Sequence, residues 1–490
     1  MTLEKIIGRT HEKEKLQKIL YSQKAEFVAV YGRRRVGKTY LIREYYAAQP
    51  YIFFQVTGIQ KASMQTQLNE FTAEIARTFY GMGVELKPAS TWLDAFAQLT
   101  HAIENQAKDK KVVLFLDELP WMASHKSKIL QALDYYWNRF WVSMPNLKLI
   151  VCGSAASWVI RNILNSKGGL HNRVTLRLLI EPFSLAETEA FLKAQHIQYT
   201  PYQITQLYMC LGGIPFYLSL LEKGLSVSQN INQLCFTKKG ALFDEYPNLF
   251  AALFKDAAVH RALIELMSQR RDGISREEIE KKTGYSGGRL SLKLAELEHA
   301  GFIGSFIPWG RLQRGRYYKI TDEYTLFYLS WIAPHAANRL AGGLDDQFWQ
   351  ETSHTPAWIA WSGYAFENVC FKHADLLKKA LNVPTGATAT TWRYLPKQRD
   401  ALDEGAQIDL VFDRNDGVVN LCEIKFSMQE FQIDKACAQN LKHKADVYQK
   451  ITKTLKQIVL SMVTPFGVKQ GIYRDELIHA TATLQDLFKN

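Results

Sequence analysis

The chain has 490 residues, 47% hydrophobic and 22% charged, with a formal net charge of +12. That length exceeds what one core fills and predicts about three domains, and the composition is that of ordinary globular protein rather than a low-complexity or fibrous one. The positive balance suits a polyanionic partner or a solvated basic surface, and it does not choose between them.

The six cysteines are Cys152, Cys210, Cys235, Cys370, Cys422 and Cys437. None have CxxC spacing and several sit in apolar runs. This predicts buried free thiols in a reducing compartment, not a zinc site or a disulfide framework. The first residues, Met1-Thr2-Leu3-Glu4-Lys5-Ile6, show no signal-peptide core. No run of about 18 apolar residues suits a membrane span. A cytoplasmic location without a membrane partner is expected.

In chain order, Gly8-Arg9 leads into an amphipathic helix, His11 to Leu20. Phe27 to Tyr31 is a short apolar strand, followed by Gly32-Arg33-Arg34-Arg35-Val36-Gly37-Lys38-Thr39, which fits GxxxxGK(S/T). Tyr40 to Tyr45 reads as the helix after it. Strand, glycine loop and helix N-terminus aim backbone N–H groups at a phosphate. Residues 32 to 40, with Gly8 and Arg9, are the candidate nucleotide-binding set. Lys38 is placed to reach the β- and γ-phosphates and Thr39 to hold Mg²⁺.

Tyr51 to Val56 is a second strand, and helical patterns fill roughly 60 to 108. Lys111 to Glu118 is a continuous apolar run ending in two acids, as a parallel strand covered on both faces requires. Its C-terminal end is where open α/β sheets place ligands. Asp117 is the candidate Mg²⁺ acid and Glu118 the candidate base for the attacking water. Leu147 to Cys152 is another core strand, and Ser154 at its tip is a candidate for contact with water or the γ-phosphate. Arg173 is either a charge-stabilising cation, in cis or from a neighbouring subunit, or a surface arginine.

These motifs, with Gly212-Gly213-Ile214-Pro215 in a later helical segment, resemble the prokaryotic ATPases of the AAA+/STAND grade. The resemblance covers roughly residues 5 to 230. It implies ATP rather than GTP, since no Asn-Lys-x-Asp is present, and a helical lid whose Pro215 senses the nucleotide.

From His260 to about Trp331 the pattern is helix, capping box at Ser275 with Glu278, turn, helix from Arg289 to Ala300, and hairpin. This is a winged-helix plan. Leu290, Leu294 and Leu297 form the buried face, with Arg289, Ser291 and Lys293 outward. The wing carries Arg311, Arg314 and Arg316. The segment either contacts DNA or packs on protein and relays the nucleotide state; Glu296 and Glu298 favour the second.

In the last third, Trp358 to Leu381 reads as a helix containing Glu367, with strands at Thr388 to Leu395, Gln407 to Phe412 and Val418 to Phe426. Period two puts Glu423 and Lys425 on one face. Asp409 sits inside an apolar strand, where an unpaired carboxylate is costly and a cation shared with Glu423 would relieve the cost. A helix from Asp434 to Leu455 and strands at Gln457 to Met462 and Leu477 to Thr483 follow. This order resembles the PD-(D/E)XK nuclease fold of restriction and Holliday-junction enzymes. The resemblance implies Glu367 as the helix acid, Asp409 and Glu423 as Mg²⁺ ligands, and Lys425 as the lysine that steers water. Ile408 replaces the usual proline.

The expected fold is therefore α/β: a P-loop ATPase domain (1–190), a helical lid (191–254), a winged helix (255–335) and a restriction-endonuclease-like domain (336–490). The expected function is ATP binding and hydrolysis that regulates a Mg²⁺-dependent DNA nuclease, in defence or mobile-element maintenance. The alternative is a non-cleaving switch whose C-terminal domains bind DNA or a protein partner. DNA, a protein and further copies of the chain are the expected partners.

Overall fold

Apolar runs too continuous for a half-exposed strand form the centre of a parallel sheet. The computed structural model describes residues 6–489 except 109, 125, 167, 171, 308–314, 337–346 and 395–404. It divides into two units, one of Met1–Pro182 with Leu253–Lys255 and Ala295–Ala300, the other of the remaining residues.

In the first unit, β1 (Glu26–Tyr31), β2 (Ile52–Thr57), β3 (Val112–Asp117), β4 (Leu147–Gly153) and β5 (Leu176–Leu179) lie in the order β2-β3-β4-β1-β5. Every pairing is parallel. Every residue of β3 and β4 is buried, because the helices that cross between parallel strands cover both faces. Phe27, Leu114 and Leu149 share one core with Phe54, Phe71, Trp92, Phe96, Trp137 and Trp141. Each large side chain buried there contributes about 1.5–3 kcal/mol before entropy is counted. Because β4 lies between β1 and β3, its tip sits between the loop after β1 and the acids that end β3.

The helical pattern expected over 60 to 108 is interrupted. Met64–Ile75 continues as a π-turn, Ala76–Tyr80, and Gly81 and Gly83 then turn the chain at φ 103° and 89°. Thr91 restarts the helix Trp92–Gln106 by accepting the Asp94 N–H.

The second unit begins with helices Leu185–Ala194 and Pro201–Leu211, each opened by a reciprocal capping box, Ser184 with Glu187 and Thr200 with Gln203. Gly213 packs so tightly on Phe183 that a Cβ would lie 2.0 Å from the Phe183 carbonyl oxygen. Pro215 then opens the short helix Pro215–Leu218.

Helices Ala257–Ser268, Arg276–Thr283 and Gly287–His299 follow, with a sheet of β6 (Ile274–Ser275), β7 (Ile303–Phe306) and β8 (Tyr317–Ile320) in the order β6-β8-β7, all antiparallel. Leu290, Leu294 and Leu297 are buried, as their spacing predicted. Two details differ. Lys293 does not point outward; it is buried and pairs with Asp256 at 2.8 Å. Ser275 caps its helix by accepting the Glu278 N–H, but the Glu278 carboxylate pairs with Arg270 and Lys282, both at 3.2 Å, in place of closing a capping box. Arg311 and Arg314 lie outside the described residues, and Arg316 is exposed.

The last segment is a mixed sheet of β9 (Thr388–Tyr394), β10 (Ala406–Asp413), β11 (Val418–Ile424), β12 (Gln457–Val463) and β13 (Ile478–Ala482), in the order β13-β12-β11-β10-β9. The β9–β10 and β10–β11 pairings are antiparallel, and the β11–β12 and β12–β13 pairings are parallel. Helix Lys435–Thr452 makes the crossover between β11 and β12. The helix expected from Trp358 to Leu381 is two, Pro356–Lys372 and Ala374–Ala380, broken at His373. Five cysteines are buried free thiols, and Cys437 is partly exposed. Among the described residues no helix is long and apolar enough to cross a membrane.

Candidate functional site

The loop after β1 is held open by backbone shapes that few residues adopt. Gly32 has φ 141° and Gly37 has φ 87°. A Cβ on Gly32 would lie 2.2 Å from the Ile180 carbonyl oxygen. Arg9, itself at φ 57° just after Gly8, braces the loop from behind. Its guanidinium donates to the Val36 carbonyl at 3.0 Å and the Glu181 carbonyl at 2.6 Å. Arg9 thus acts on the loop's shape, which the sequence alone did not specify, and Gly8 stands at φ 63° just before it. Arg33 and Val36 are buried, Arg34 and Arg35 are partly exposed, and Tyr40 is exposed on the helix Lys38–Ala47.

Lys38 is 4% exposed, and its ammonium donates to the carbonyls of Gly32 at 3.0 Å and Arg33 at 2.8 Å. Burial lowers its pKa, while Cys152, Glu118 and Asp117 act in the opposite sense. The Thr39 hydroxyl donates to Asp117 Oδ2 at 2.9 Å. Burial holds the Asp117 carboxyl above the usual range, and the Thr39 hydrogen bond partly offsets it. A hydroxyl beside a carboxylate is a donor set that fits Mg²⁺, so Thr39 and Asp117 are the residues that would hold it.

Glu118 leaves the strand at φ 47°. Its carboxylate accepts the Ser154 N–H at 3.0 Å on Oε2 and the Ser154 hydroxyl on Oε1. The strand order therefore brings together Lys38, Thr39, Asp117, Glu118 and Ser154 from three strands. Arg173 is exposed in the turn before β5, outside this group. Pro215 belongs to the other unit.

A second cluster lies in the second unit. One step along from the Leu410–Cys422 pair, Asp409 of β10 and Glu423 of β11 stand opposite each other. The β9–β10 register slips between Ile408 and Val411. Such irregularities re-aim a side chain beside a site. Asp409 Oδ2 accepts the Ile424 N–H at 2.9 Å. Two carboxylates directly opposed repel, and lysines offset this. Lys425 and Lys444 donate to the two oxygens of Glu423 at 2.8 and 2.5 Å. Burial pushes Glu423 upward, but Lys444 and Lys425 outweigh it and hold it low. Burial, with Glu423 as neighbour, raises Asp409. Burial, with Asp409 as neighbour, raises Glu367.

Two members of this cluster escaped the sequence reading. Lys444 comes from helix Lys435–Thr452, and Lys319 comes from β8. Lys319 is 8% exposed. Its ammonium lies 6.0 Å from the Tyr364 ring centre and 5.7 Å from that of Phe371. Burial lowers its pKa against the pull of Glu367 and Asp409. No sequence spacing links either lysine to the acids. Among the described residues, no three His, Cys, Asp or Glu side chains form a ready metal cage. Mg²⁺ commonly takes only one or two carboxylates with waters and phosphate; here both oxygens of Glu423 already accept from lysines, so a cation shared with Asp409 would have to displace one of them.

Residues 7–221 match the model of the family described as an ATPase domain predominantly from Archaea. An uncharacterised protein of Methanocaldococcus jannaschii is 22% identical over 427 residues, 86% of this chain and 87% of its own length. Among solved structures, a Walker-type ATPase of Pyrococcus abyssi has a TM-score of 0.47 at 19% identity, covering 67% of this chain and 97% of that one. The ORC2 protein of Aeropyrum pernix, solved as ADPNP and ADP complexes, has a TM-score of 0.40 at 13% identity, over 68% of this chain and 95% of that one. Loop, acids and family match fall in one segment, residues 7–221, which has the make-up of a P-loop ATPase domain.

Proposed function

We propose that ATP turnover at Lys38, Thr39, Asp117 and Glu118 governs a DNA-hydrolysing site at Glu367, Asp409, Glu423 and Lys425. The observation that carries this reading is the opposed pair Asp409 and Glu423, half-buried and buried, with Lys425 on the Glu423 carboxylate. Asp409 and Glu423 would hold Mg²⁺, and Lys425 and Glu367 would orient the attacking water. A Mg²⁺ bound there would supply a water of lowered pKa and neutralise phosphate charge. The helices after residue 191, with Pro215, serve as the lid, the helix–hairpin segment as a winged helix that relays the nucleotide state, and residues 336–490 as a nuclease-like domain. Arg173, exposed, supplies a cation to a neighbouring copy, so a homo-oligomer is part of this reading. The location is cytoplasmic, in keeping with the free thiols.

The test is incubation of the full chain with linear, circular, branched and single-stranded DNA, with Mg²⁺ or Mn²⁺, with and without ATP. Cleavage that Lys425→Ala abolishes while ATP hydrolysis persists supports the proposal.

A second reading, a non-cleaving switch that binds DNA or a protein, is favoured by one observation. Both oxygens of Glu423 are already taken by Lys425 and Lys444. Absence of cleavage on every substrate selects it.

A further inference from the structure

The helix that carries Glu367, Pro356–Lys372, ends among the first helices of the second unit. Lys372 donates to both oxygens of Glu323, at 2.8 and 3.1 Å. Glu323 opens the helix Glu323–Phe327 just after β8, and it is 4% exposed. A carboxylate so buried needs such a partner. The same ammonium lies 5.3 Å from the ring centre of Tyr208, whose hydroxyl donates to the Phe183 carbonyl at 2.8 Å. His373 comes next. Its ring stands edge-on to Tyr208, with centres 5.8 Å apart, and its Nε2 accepts the Leu185 N–H.

These partners surround one short stretch, Gly212-Gly213-Ile214-Pro215. Gly212 ends the helix Pro201–Leu211 at φ 65°, and a Cβ there would lie 2.9 Å from Glu323 Oε2. The Gly213 carbonyl accepts the Phe183 N–H at 2.6 Å. The Glu323 carboxylate therefore has the Gly212 backbone on one side and Lys372 on the other. Lys372 follows Glu367 by little more than one turn of the same helix. Over that length a helix is a rigid rod, so a shift of Gly212 that moves Glu323 is passed to Glu367 through contiguous packed groups.

We infer that the Glu323–Lys372 ion pair positions Glu367 and is the joint through which the Gly212-Gly213-Ile214-Pro215 stretch acts on the acidic cluster. Both are positioning residues and neither touches substrate. The inference rests on the reading that nucleotide governs the Glu367 cluster, and it names the residues that carry the effect.

The test reads hydrogen exchange in the full chain, by mass spectrometry of peptides covering residues 356–372, with and without a non-hydrolysable ATP analogue and Mg²⁺. The exchange rate there is expected to change by about fivefold or more on adding the analogue, the low end of coupling between sites. Lys372→Arg keeps a two-pronged pair with Glu323 and keeps the response. Glu323→Gln combined with Lys372→Met removes both charges and leaves no buried charge unpaired. It is expected to cut the response to less than about twofold, while affinity for the analogue, measured by calorimetry, stays within about twofold of the original. Circular dichroism melting checks the fold. Glu323→Gln alone keeps an acceptor for Lys372 and serves where the double variant melts early; the same loss of response is expected.

A pair that only holds the fold together would alter basal exchange and leave the response to the analogue in place, and that result overturns the inference. Absence of any response in the unaltered chain overturns both the inference and the regulatory reading beneath it. Absence of DNA cleavage would remove the hydrolytic proposal alone and leave this one standing.

Discussion

Ser154 grips Glu118 twice, through its backbone N–H at 3.0 Å and through its hydroxyl. The candidate base is thereby parked on the neighbouring strand tip. Glu118→Gln is expected to cut ATP turnover by about 10²–10⁴-fold, the range for a lost general base, while nucleotide binding persists. Ser154→Ala keeps the N–H and loses the hydroxyl, so kcat changes while the KM for ATP stays nearly constant. Steady-state kinetics on both variants checks the split. A Ser154→Ala effect confined to KM would assign Ser154 to binding instead.

Lys38 is the buried cation of the loop, engaged by the carbonyls of Gly32 and Arg33. Lys38→Ala removes the charge that a triphosphate needs there, and nucleotide binding measured by calorimetry should fall by at least about 100-fold, about 2.7 kcal/mol. Unaltered binding would place the nucleotide elsewhere.

Gly32→Ala tests the loop's shape separately from its charge. Position 32 has φ 141°, and a Cβ would meet the Ile180 carbonyl oxygen at 2.2 Å. The contact is with backbone, so the loop must move. A loss of about 2 kcal/mol or more in denaturant unfolding is expected, together with loss of nucleotide binding.

His373 gives a pH signature. It is 7% exposed. Its Nδ1 contacts the Val369 carbonyl at 2.8 Å, and its Nε2 accepts the Leu185 N–H at 3.3 Å. Those partners require the neutral ring, protonated at Nδ1. Burial lowers its pKa from 6.5 to about 4, which Lys372 reinforces. The unfolded chain therefore takes up this proton first as pH falls. The contribution is whole above pH 6.5 and is lost toward pH 4, at most about 3 kcal/mol by linkage. His373→Gln should flatten the stability–pH curve across that window, measured by urea unfolding at several pH values.

The first site was largely legible because its residues lie close in sequence or at strand ends. Gly32 to Thr39 is one loop, and Asp117 and Glu118 end one apolar run. Period two also placed Glu423 and Lys425 on one face of β11, where they meet, but the β10–β11 register that brings Asp409 beside Glu423 is a property of the sheet. The errors came where packing overrides periodicity. Lys293 sits at a position that spacing alone turned outward, yet Asp256 holds it inside. The break at His373 is invisible in a run whose apolar pattern continues.

By itself, then, the amino-acid order determined the glycine loop after β1, the strand end that carries Asp117 and Glu118, and the alternation that puts Glu423 and Lys425 on one face, because each follows from local geometry within a few residues. Only the tertiary structure decided that Ser154 meets Glu118, that Arg9 braces Val36, and that Lys319 and Lys444 come to the second acidic cluster. Those partners are far apart along the chain, and strand order and helix packing, which no local pattern encodes, bring them together.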